Sequence, residues 1–327
     1  MLEALSALLA LILTLLLMPG FIRYMKERGF IQPVYDLGPD SFKKKEKPPN
    51  MGGLVIAVAV VMPALLAGVL GGSAGTVLLL MIPSLGMLLI GLADDWIKDS
   101  RKEHEGLKPR HKIIGQTGVG LLFAVLCATV TGTAIHLPFT KAVWELSWAY
   151  YPLMTLLFVF MTNSANIQDG VDGLMASVTL AGSGALGAIA VVIAGGPAGD
   201  GGVAAACFAL CCACLGFLFF NQHPARIYLG DTGSMFIGGL LTGAAMLLRL
   251  QLWLVPLCFT MIASSASVIL QRVYYKLTGG RRLFLMSPVH HHFEKLGWTE
   301  AAIARRYTLV VLALSAVAAF AALPIAP

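Results

Sequence analysis

Ten long apolar runs divide this chain, and they limit its possible folds more than any other feature of the sequence. A helix that crosses a bilayer needs about 20 apolar residues, so each run is long enough for one transmembrane helix. Charged residues make up 12% of the 327 residues, against roughly 25% in soluble domains. We therefore predict an all-α polytopic membrane protein of about ten transmembrane helices, forming a single domain over residues 1–327. The runs cover residues 2–20, 51–70, 74–93, 113–134, 148–166, 174–195, 203–221, 234–250, 252–272 and 307–325.

The basic residues indicate how these helices are oriented. Of the 23 Lys and Arg residues, 21 lie in or beside one alternate set of connections, and only Lys141 and Arg249 belong to the other set. The positive-inside rule assigns the basic set to the cytoplasm. With ten spans, both termini are then expected on the periplasmic or extracellular side. This topology accounts for the net charge of +6, which therefore does not indicate a nucleic-acid partner.

The third apolar run ends in two adjacent carboxylates, Asp94 and Asp95. Negative charge is unfavourable at a helix C-terminus, where the helix dipole is itself negative, and it is costly inside the membrane. A carboxylate pair at the interface suits a divalent cation or proton transfer. We therefore favour a catalytic role for this pair over a solvated helix end.

The fifth run leads directly into a segment rich in amides and carboxylates, residues 163–173. It contains Asn163, Asn166, Asp169 and Asp172 within ten residues. Helix capping explains one or two such side chains, but not four. If the segment is helical, Asp169 and Asp172 share one face because they are three residues apart. We predict that this segment binds substrate.

A glycine-rich turn precedes the eighth run and reads Gly-Asp-Thr-Gly-Ser over residues 230–234. Glycine allows close backbone approach, and a helix N-terminus favours anions. The turn is therefore a candidate cradle for a phosphate or a metal–phosphate group, although Asp231 could equally be a simple helix cap. Candidate residues of this segment are Asn221, Gly230, Asp231 and Ser234.

The last basic connection contains three consecutive histidines, His290, His291 and His292. Histidines can bind a transition metal, but three adjacent residues cannot all face one ion in regular structure. They can also donate hydrogen bonds to phosphate or sugar oxygens.

All of these polar segments are expected on one face of the membrane. A few carboxylates combined with phosphate oxygens is the coordination that Mg²⁺ favours. The arrangement favours an enzyme acting on an anionic phosphate substrate. The alternative is a lipid or solute transporter, which would more naturally place its charges at mid-membrane.

The motifs that carry these residues resemble those of the polyprenyl-phosphate N-acetylhexosamine-1-phosphate transferases. The resemblance covers nearly the whole chain, and the His-His-His-Phe-Glu stretch selects the muramyl branch over the N-acetylglucosamine branch, which stays as the alternative. The matching segments are Gly38-Pro39-Asp40-Ser41 with Met51-Gly52-Gly53, Ala93-Asp94-Asp95, 163–173, 230–234 and 288–294.

The first connection departs from the family pattern, which reads His-x-x-Lys-x-Gly-Thr-Pro-Thr-Met-Gly-Gly. Phe42 replaces the histidine, whereas Lys45 is kept. Lys47, Pro48 and Asn50 replace a glycine and two threonines. A role for the missing histidine or threonines therefore cannot be carried over, while Lys45 remains a candidate phosphate or nucleotide contact.

The resemblance implies a reaction and a set of roles. Phospho-MurNAc-pentapeptide would pass from UDP-MurNAc-pentapeptide to undecaprenyl phosphate, giving lipid I and UMP with Mg²⁺ as cofactor. The enzyme would lie in the bacterial cytoplasmic (inner) membrane as a homodimer with a cytoplasmic cleft. The implied catalytic residues are Asp94, Asp95, Asp231 and His290. Asp231 would bind Mg²⁺, and Asp94 or Asp95 would contact the lipid phosphate as base or orienting group. Asp169 and Asn166 would bind uridine beside a polar wall of Asp172 and Asn163. The remaining phosphate, sugar or nucleotide contacts would come from Lys45, Lys112, Asn221, Gly230, Ser234, His290, His291 and His292.

Overall fold

A computed structural model describes residues 1–29, 48–101, 106–193 and 201–326. Over these residues the chain is a bundle of long helices joined by short connections, and a helix lies at each of the ten predicted apolar runs. The helices are α1 Leu2–Glu27, α2 Gly53–Leu70, α3 Ala74–Arg101, α4 Pro109–Thr131, α5 Tyr150–Gln168, α6 Leu174–Ile193, α7 Gly201–Asn221, α8 Gly230–Leu247, α9 Leu254–Leu257, α10 Phe259–Leu277, α11 Val289–Lys295 and α12 Glu300–Ala322.

Seven of the helices in the described ranges are long and apolar enough to cross a membrane, namely α1 to α4, α6, α7 and α12 with the turn that follows it. The pair formed by Gln251–Leu257 and Phe259–Leu277 is bent by 86° and would be an eighth span if it crosses as one unit. Helices α5 and α8 lie at predicted runs, but the polar residues of the motifs lower their mean hydropathy.

The outer surface of the bundle is strongly apolar. Leu16 on α1 is 71% exposed, Met62 on α2 is 62% exposed and Leu156 on α5 is 66% exposed. Apolar surface of this extent is unfavourable in water, but it matches the hydrocarbon of a bilayer. The exposed side chains therefore support a multi-pass membrane protein.

Helix α8 lies at the centre of the bundle and is buried along nearly its whole length. It packs against α2, α3 and α5. Close packing depends on Gly91 of α3, because a Cβ atom there would lie 2.3 Å from the backbone oxygen of Asp231. This approach brings the end of α3, with Asp94 and Asp95, against the start of α8.

Two of the helices extend beyond their apolar runs and carry site residues with them. Helix α3 continues to Arg101, so Asp94 and Asp95 lie on a helix and not in the predicted connection. The ammonium of Lys98 lies 2.6 Å from Asp94 Oδ2, one helical turn away, and such pairs stabilise a helix. Helix α8 begins at Gly230, before its apolar run, so Asp231 lies in its first turn.

A small antiparallel hairpin lies between α4 and α5, where the sequence indicates only a connection. It pairs β1 Ala134–His136 with β2 Val143–Glu145 in the register Ala134↔Glu145. Each strand has three residues, which is too short for a clear alternating pattern. The hairpin lies at the end of the bundle opposite to the polar motifs.

Candidate active site

The polar motifs meet at one end of the bundle, around a cavity of about 160 Å³. The ends of α3, α5 and α7 and the beginnings of α4, α6 and α8 gather there. Pairing of Tyr228 N–H with the carbonyl of Pro49 adds the segment before α2. The cavity is lined by Asn50, Asp95, Lys98, Asn166, Asp169, Gly170, Val171, Asp172, Asn221, Tyr228, Gly230 and Asp231.

Asp231 is held by three donors from other helices. Its Oδ2 atom lies 3.0 Å from the Lys98 ammonium and 2.8 Å from the Lys112 ammonium. Its Oδ1 atom accepts a hydrogen bond of 2.7 Å from the amide of Asn166. Two cations and an amide therefore orient this carboxylate toward the cavity.

Asp94 shares both lysines with Asp231. Its Oδ2 atom is 2.6 Å from the Lys98 ammonium and 3.7 Å from the Lys112 ammonium. Its other oxygen accepts a 2.8 Å hydrogen bond from the backbone N–H of Leu107. Asp94 and Asp231 thus form one charged group with two ammonium ions, a strong arrangement for binding phosphate oxygens once the lysines turn toward them.

Asp95 has a different environment, because it caps helix α8. Its oxygens accept hydrogen bonds from the backbone N–H groups of Asp231 at 3.2 Å and Thr232 at 2.8 Å, and from the Thr232 hydroxyl at 2.7 Å. The Asn50 amide donates a fourth at 3.1 Å. The expectation that this helix N-terminus cradles a phosphate is therefore wrong for these two N–H groups, since a carboxylate already occupies them.

Gly230 is required where α8 begins. Its φ angle is +78°, a conformation that side chains disfavour. A Cβ atom there would also lie 2.6 Å from oxygens of Asn50 and Asp95. The glycine therefore allows the contact between α8 and Asp95.

The turn after α5 forms one wall of the cavity. Asp169 ends the helix and residues 169–173 are not helical, so Asp169 and Asp172 do not share a helical face. Burial, together with the charges of Asp231 and Asp95, raises the pKa of Asp169 to about 8. This shift favours the protonated form of Asp169. The Asp172 carboxylate points to His223 Nδ1, at 2.9 Å.

Three further predicted residues use their side chains mainly for hydrogen bonds to other residues of the chain. Asn163 donates to Gln116 Oε1 at 2.7 Å and joins α5 to α4. Asn221 accepts from the Gly173 N–H and donates to the Ile227 carbonyl. Ser234 is fully buried, where its hydroxyl donates to the Gly230 carbonyl and accepts from Asn166. These contacts position the loops around the cavity.

The three histidines point in different directions. A Cβ atom on Gly170 would lie 2.6 Å from His290 Nε2 and 3.1 Å from His291 Nε2, so these two rings abut the cavity wall. His292 instead accepts a hydrogen bond from the Leu285 N–H. Burial lowers the pKa of His290 to about 3, which keeps its ring neutral, and within the described residues its Nε2 atom has no hydrogen-bond partner.

Two groups of side chains could hold a cation. The first is formed by the carboxylate oxygens of Asp231 and Asp94, and Mg²⁺ prefers oxygen ligands of this kind. The second is formed by Asp172, His223 and Glu300, whose ligand atoms lie within 4.8 Å of one another. The sequence did not indicate this second group, because its three members come from distant segments.

Lys45, with the first-connection segment around it, lies outside the described residues. Asn50, Lys98 and Tyr228 also line the cavity and were not among the predicted site residues. Lys98 could have been found from its spacing of four residues from Asp94 on an extended helix. Asn50 gave no signal beyond its departure from the family pattern.

The chain matches the family described as Glycosyl transferase family 4 over residues 77–249. A phospho-N-acetylmuramoyl-pentapeptide-transferase of Staphylococcus aureus (strain bovine RF122 / ET3-1) is 36% identical over 298 residues, 90% of this chain and 91% of the relative. Another of Bacillus mycoides (strain KBAB4) is 38% identical over 293 residues, 89% of each chain. The similarity therefore extends over nearly the whole protein and is not confined to single motifs.

Proposed function

Because this chain belongs to the phospho-N-acetylmuramoyl-pentapeptide-transferases of glycosyl transferase family 4, we propose that it catalyses the same reaction. It transfers the phospho-N-acetylmuramoyl-pentapeptide group from a uridine diphosphate carrier to a polyprenyl phosphate. The products are lipid I, for peptidoglycan synthesis, and UMP. The names of the relatives do not favour the N-acetylglucosamine alternative.

The observation that best supports this chemistry is the group formed by Asp94, Asp231, Lys98 and Lys112 at one end of the bundle. Phosphoryl transfer depends mainly on neutralising charge and holding the reacting groups in line. Two lysines within 3.0 Å of Asp231 provide positive charge where a pyrophosphate would bind. A transporter would instead be expected to place its charges at mid-membrane.

The residues around Asp231 fit Mg²⁺. Asp231 and Asp94 supply carboxylate oxygens, and the buried Asn50 Oδ1 has no hydrogen-bond partner among the described residues. We propose Asp231 as the principal ligand. When bound, Mg²⁺ would neutralise the pyrophosphate oxygens and stabilise the charge that develops on the leaving UMP.

The two lysines are proposed to bind the phosphates directly. Each ammonium contacts a carboxylate that Mg²⁺ would also bind. Once Mg²⁺ takes over that contact, the lysines can turn toward the phosphate oxygens of the substrate. Lys98 lies on α3 and Lys112 on α4, and both ammonium groups lie within 3.0 Å of the same Asp231 oxygen. Lys98 is therefore added to the predicted site residues.

Asp94 is the proposed partner of the lipid phosphate. It lies where α3 leaves its apolar run, near the membrane surface. Its side chain is 3% exposed, so the lipid phosphate would meet it through the two lysines that it holds. The second pKa of a phosphate monoester is about 6, and the lipid phosphate is then mostly a dianion at neutral pH. Asp94 need only orient the lysines and the nucleophilic oxygen, while Asp95 holds α8 in place.

The nucleotide is proposed to bind along the opposite wall. A protonated Asp169 can donate a hydrogen bond to a uracil carbonyl. Asn166, also predicted to bind uridine, contacts Asp231 and would connect the base to the phosphates. His290 and His291 are proposed to meet the sugar or a phosphate beside Gly170.

Orientation and assembly complete the proposal. The 21 basic residues in or beside one set of connections support a cytoplasmic cleft, ten spans and both termini outside, in the bacterial cytoplasmic (inner) membrane. The polyprenyl carrier would be undecaprenyl phosphate. A homodimer of single-domain chains is proposed by resemblance to the family.

The test is turnover by the purified protein in detergent. UDP-MurNAc-pentapeptide, undecaprenyl phosphate and Mg²⁺ should yield UMP and a lipid-linked product. Replacement by UDP-N-acetylglucosamine should give little UMP. Transport without UMP release, or equal turnover of both sugars, would contradict the proposal. Lys141→Gln is a suitable control variant, because this lysine lies at the opposite end of the bundle.

A further inference from the structure

The turn over residues 169–173 needs support from outside itself. It forms a wall of the cavity through Asp169, Gly170, Val171 and Asp172, but it has no regular structure. The N–H groups of Asp169 and Gly170 bond back to the end of α5, but those of Asp172 and Gly173 must find acceptors elsewhere, because unpaired buried donors are costly. The contacts of Asp172 show where that support comes from.

Asp172 is bound by two distant segments. Its backbone N–H donates to Glu300 Oε2 at 3.1 Å. Its side-chain Oδ2 accepts from His223 Nδ1 at 2.9 Å and from the Ala225 N–H at 3.1 Å. Glu300 Oε1 is in turn 3.4 Å from His223 Nδ1. Both carboxylate residues are buried, Asp172 at 6% exposure and Glu300 at 8%.

Glu300 also connects the turn to the histidine motif. It is the first residue of α12, which follows the short helix α11 that carries His290 and His291. These rings meet the turn at Gly170, while Glu300 meets it at Asp172, two residues later. The segment formed by α11 and the start of α12 thus holds the turn at two points.

We infer that Glu300 and His223 are positioning residues for nucleotide binding. They fix the 169–173 turn, and through it the wall against which the nucleotide lies. Neither residue lines the cavity within the described part of the chain, so they act through Asp172. The inference rests on the proposed function, because it concerns the wall where the nucleotide substrate is proposed to bind.

The test compares variants of Glu300 with a neighbouring helix cap. Glu300→Ala removes the acceptor of the Asp172 N–H, whereas Glu300→Gln keeps an amide oxygen there. Thr299→Ala is the matched control, since the Thr299 hydroxyl caps α12 by accepting from the Ala302 N–H and makes no hydrogen bond to the turn within the described residues. His223→Ala removes the second support and gives an independent variant.

Steady-state kinetics and thermal unfolding should separate positioning from stability. We expect Glu300→Ala to raise KM for UDP-MurNAc-pentapeptide about tenfold, the effect of losing one hydrogen bond to a charged group, with kcat changed less than KM. Glu300→Gln should stay within about threefold of wild type, and His223→Ala should raise KM in the same direction. Thr299→Ala should lower Tm while KM stays unchanged.

Two outcomes would overturn the inference. The first is a KM for Glu300→Ala equal to that of Thr299→Ala, which would show that only helix stability matters. The second is stoichiometric Zn²⁺ binding by wild type that His223→Ala abolishes, which would make the three residues a metal site. Failure of the proposed function is distinct, since wild type itself would then release no UMP.

Discussion

Asp94 and Asp95 are adjacent in sequence but have different surroundings. Asp95 accepts four hydrogen bonds from Asn50 and the start of α8, whereas Asp94 faces two lysines. The first arrangement holds two helices together, and the second can exchange partners with a ligand. The two carboxylates should therefore respond differently to the same substitution.

Asp94→Asn is expected to reduce kcat at saturating nucleotide by about 10²–10⁴-fold if it serves the lipid phosphate, with nucleotide binding and Tm largely kept. Asp95→Asn should lower Tm as well, because an amide NH₂ cannot accept the hydrogen bonds of α8. Measuring kcat, nucleotide affinity and Tm together distinguishes the two. Stable variants with unchanged kcat at both positions would move the catalytic assignment to the 169–172 segment.

Asp231→Asn tests the proposed metal ligand. Losing one charged ligand should cost several kcal/mol of transition-state stabilisation, so turnover should fall by at least about 100-fold and lose its normal Mg²⁺ dependence. The variant should still insert in the membrane, because Asn166 and the lysines remain as polar neighbours. Near wild-type kcat with an ordinary Mg²⁺ response would refute this role.

Asp94, Asp169 and Asp231 could be identified as site residues from the sequence, because polar side chains stand out beside apolar runs. The residues to which they bind could not be predicted. The capping of α8 by Asp95 joins residues 137 positions apart, and no local pattern records such a contact. The same holds for Glu300 and Asp172.

At the level of helices, the contact of α3 with α8 depends on the absence of a side chain at Gly91. Gly91→Ala places a Cβ atom 2.3 Å from the Asp231 oxygen, so the helices must separate. Overpacking of this kind costs about 1–3 kcal/mol, and it would displace Asp231 from Asp94. We expect a lower Tm and a large loss of kcat.

Gly118→Ala on α4 is the matched control for that variant, because a Cβ atom there meets nothing within 4 Å. Alanine favours a helix over glycine by about 0.5–1 kcal/mol, so stability should be unchanged or slightly higher. Equal Tm and activity of the two variants would show that the approach at Gly91 is unimportant.

Apolar runs predicted where the helices lie, since hydrophobic length decides where a chain can cross a bilayer. They did not predict where helices end. Helix α3 runs on to Arg101 because hydrogen bonding and the Lys98–Asp94 pair continue after hydropathy falls. The β1–β2 hairpin was not predicted, because strands of three residues are too short to show an alternation of polar and apolar residues.

For the whole molecule, the distribution of basic residues predicts ten spans with both termini outside. A reporter fused to the C-terminus and active only in the cytoplasm should therefore be inactive, as should one at the N-terminus. The same reporter inserted near Arg226 should be active and serves as the internal control. Cytoplasmic activity of the C-terminal fusion would rule out this topology.

Lys98 and Lys112 have a further consequence, because they act as built-in counter-ions. A cluster whose carboxylates already have positive partners does not depend on a bound cation to avoid self-repulsion. Chelation of Mg²⁺ should therefore stop turnover without unfolding the protein.

We expect EDTA to abolish UMP release while Tm stays within about 2 °C of its original value, and added Mg²⁺ should restore activity fully. In the double variant Lys98→Met with Lys112→Met, Tm should instead depend on Mg²⁺. An irreversible loss of activity, or a collapse of wild-type Tm on chelation, would show that the lysines do not replace the cation. If the prediction holds, a fall in the Mg²⁺ concentration stops turnover reversibly and does not unfold the enzyme.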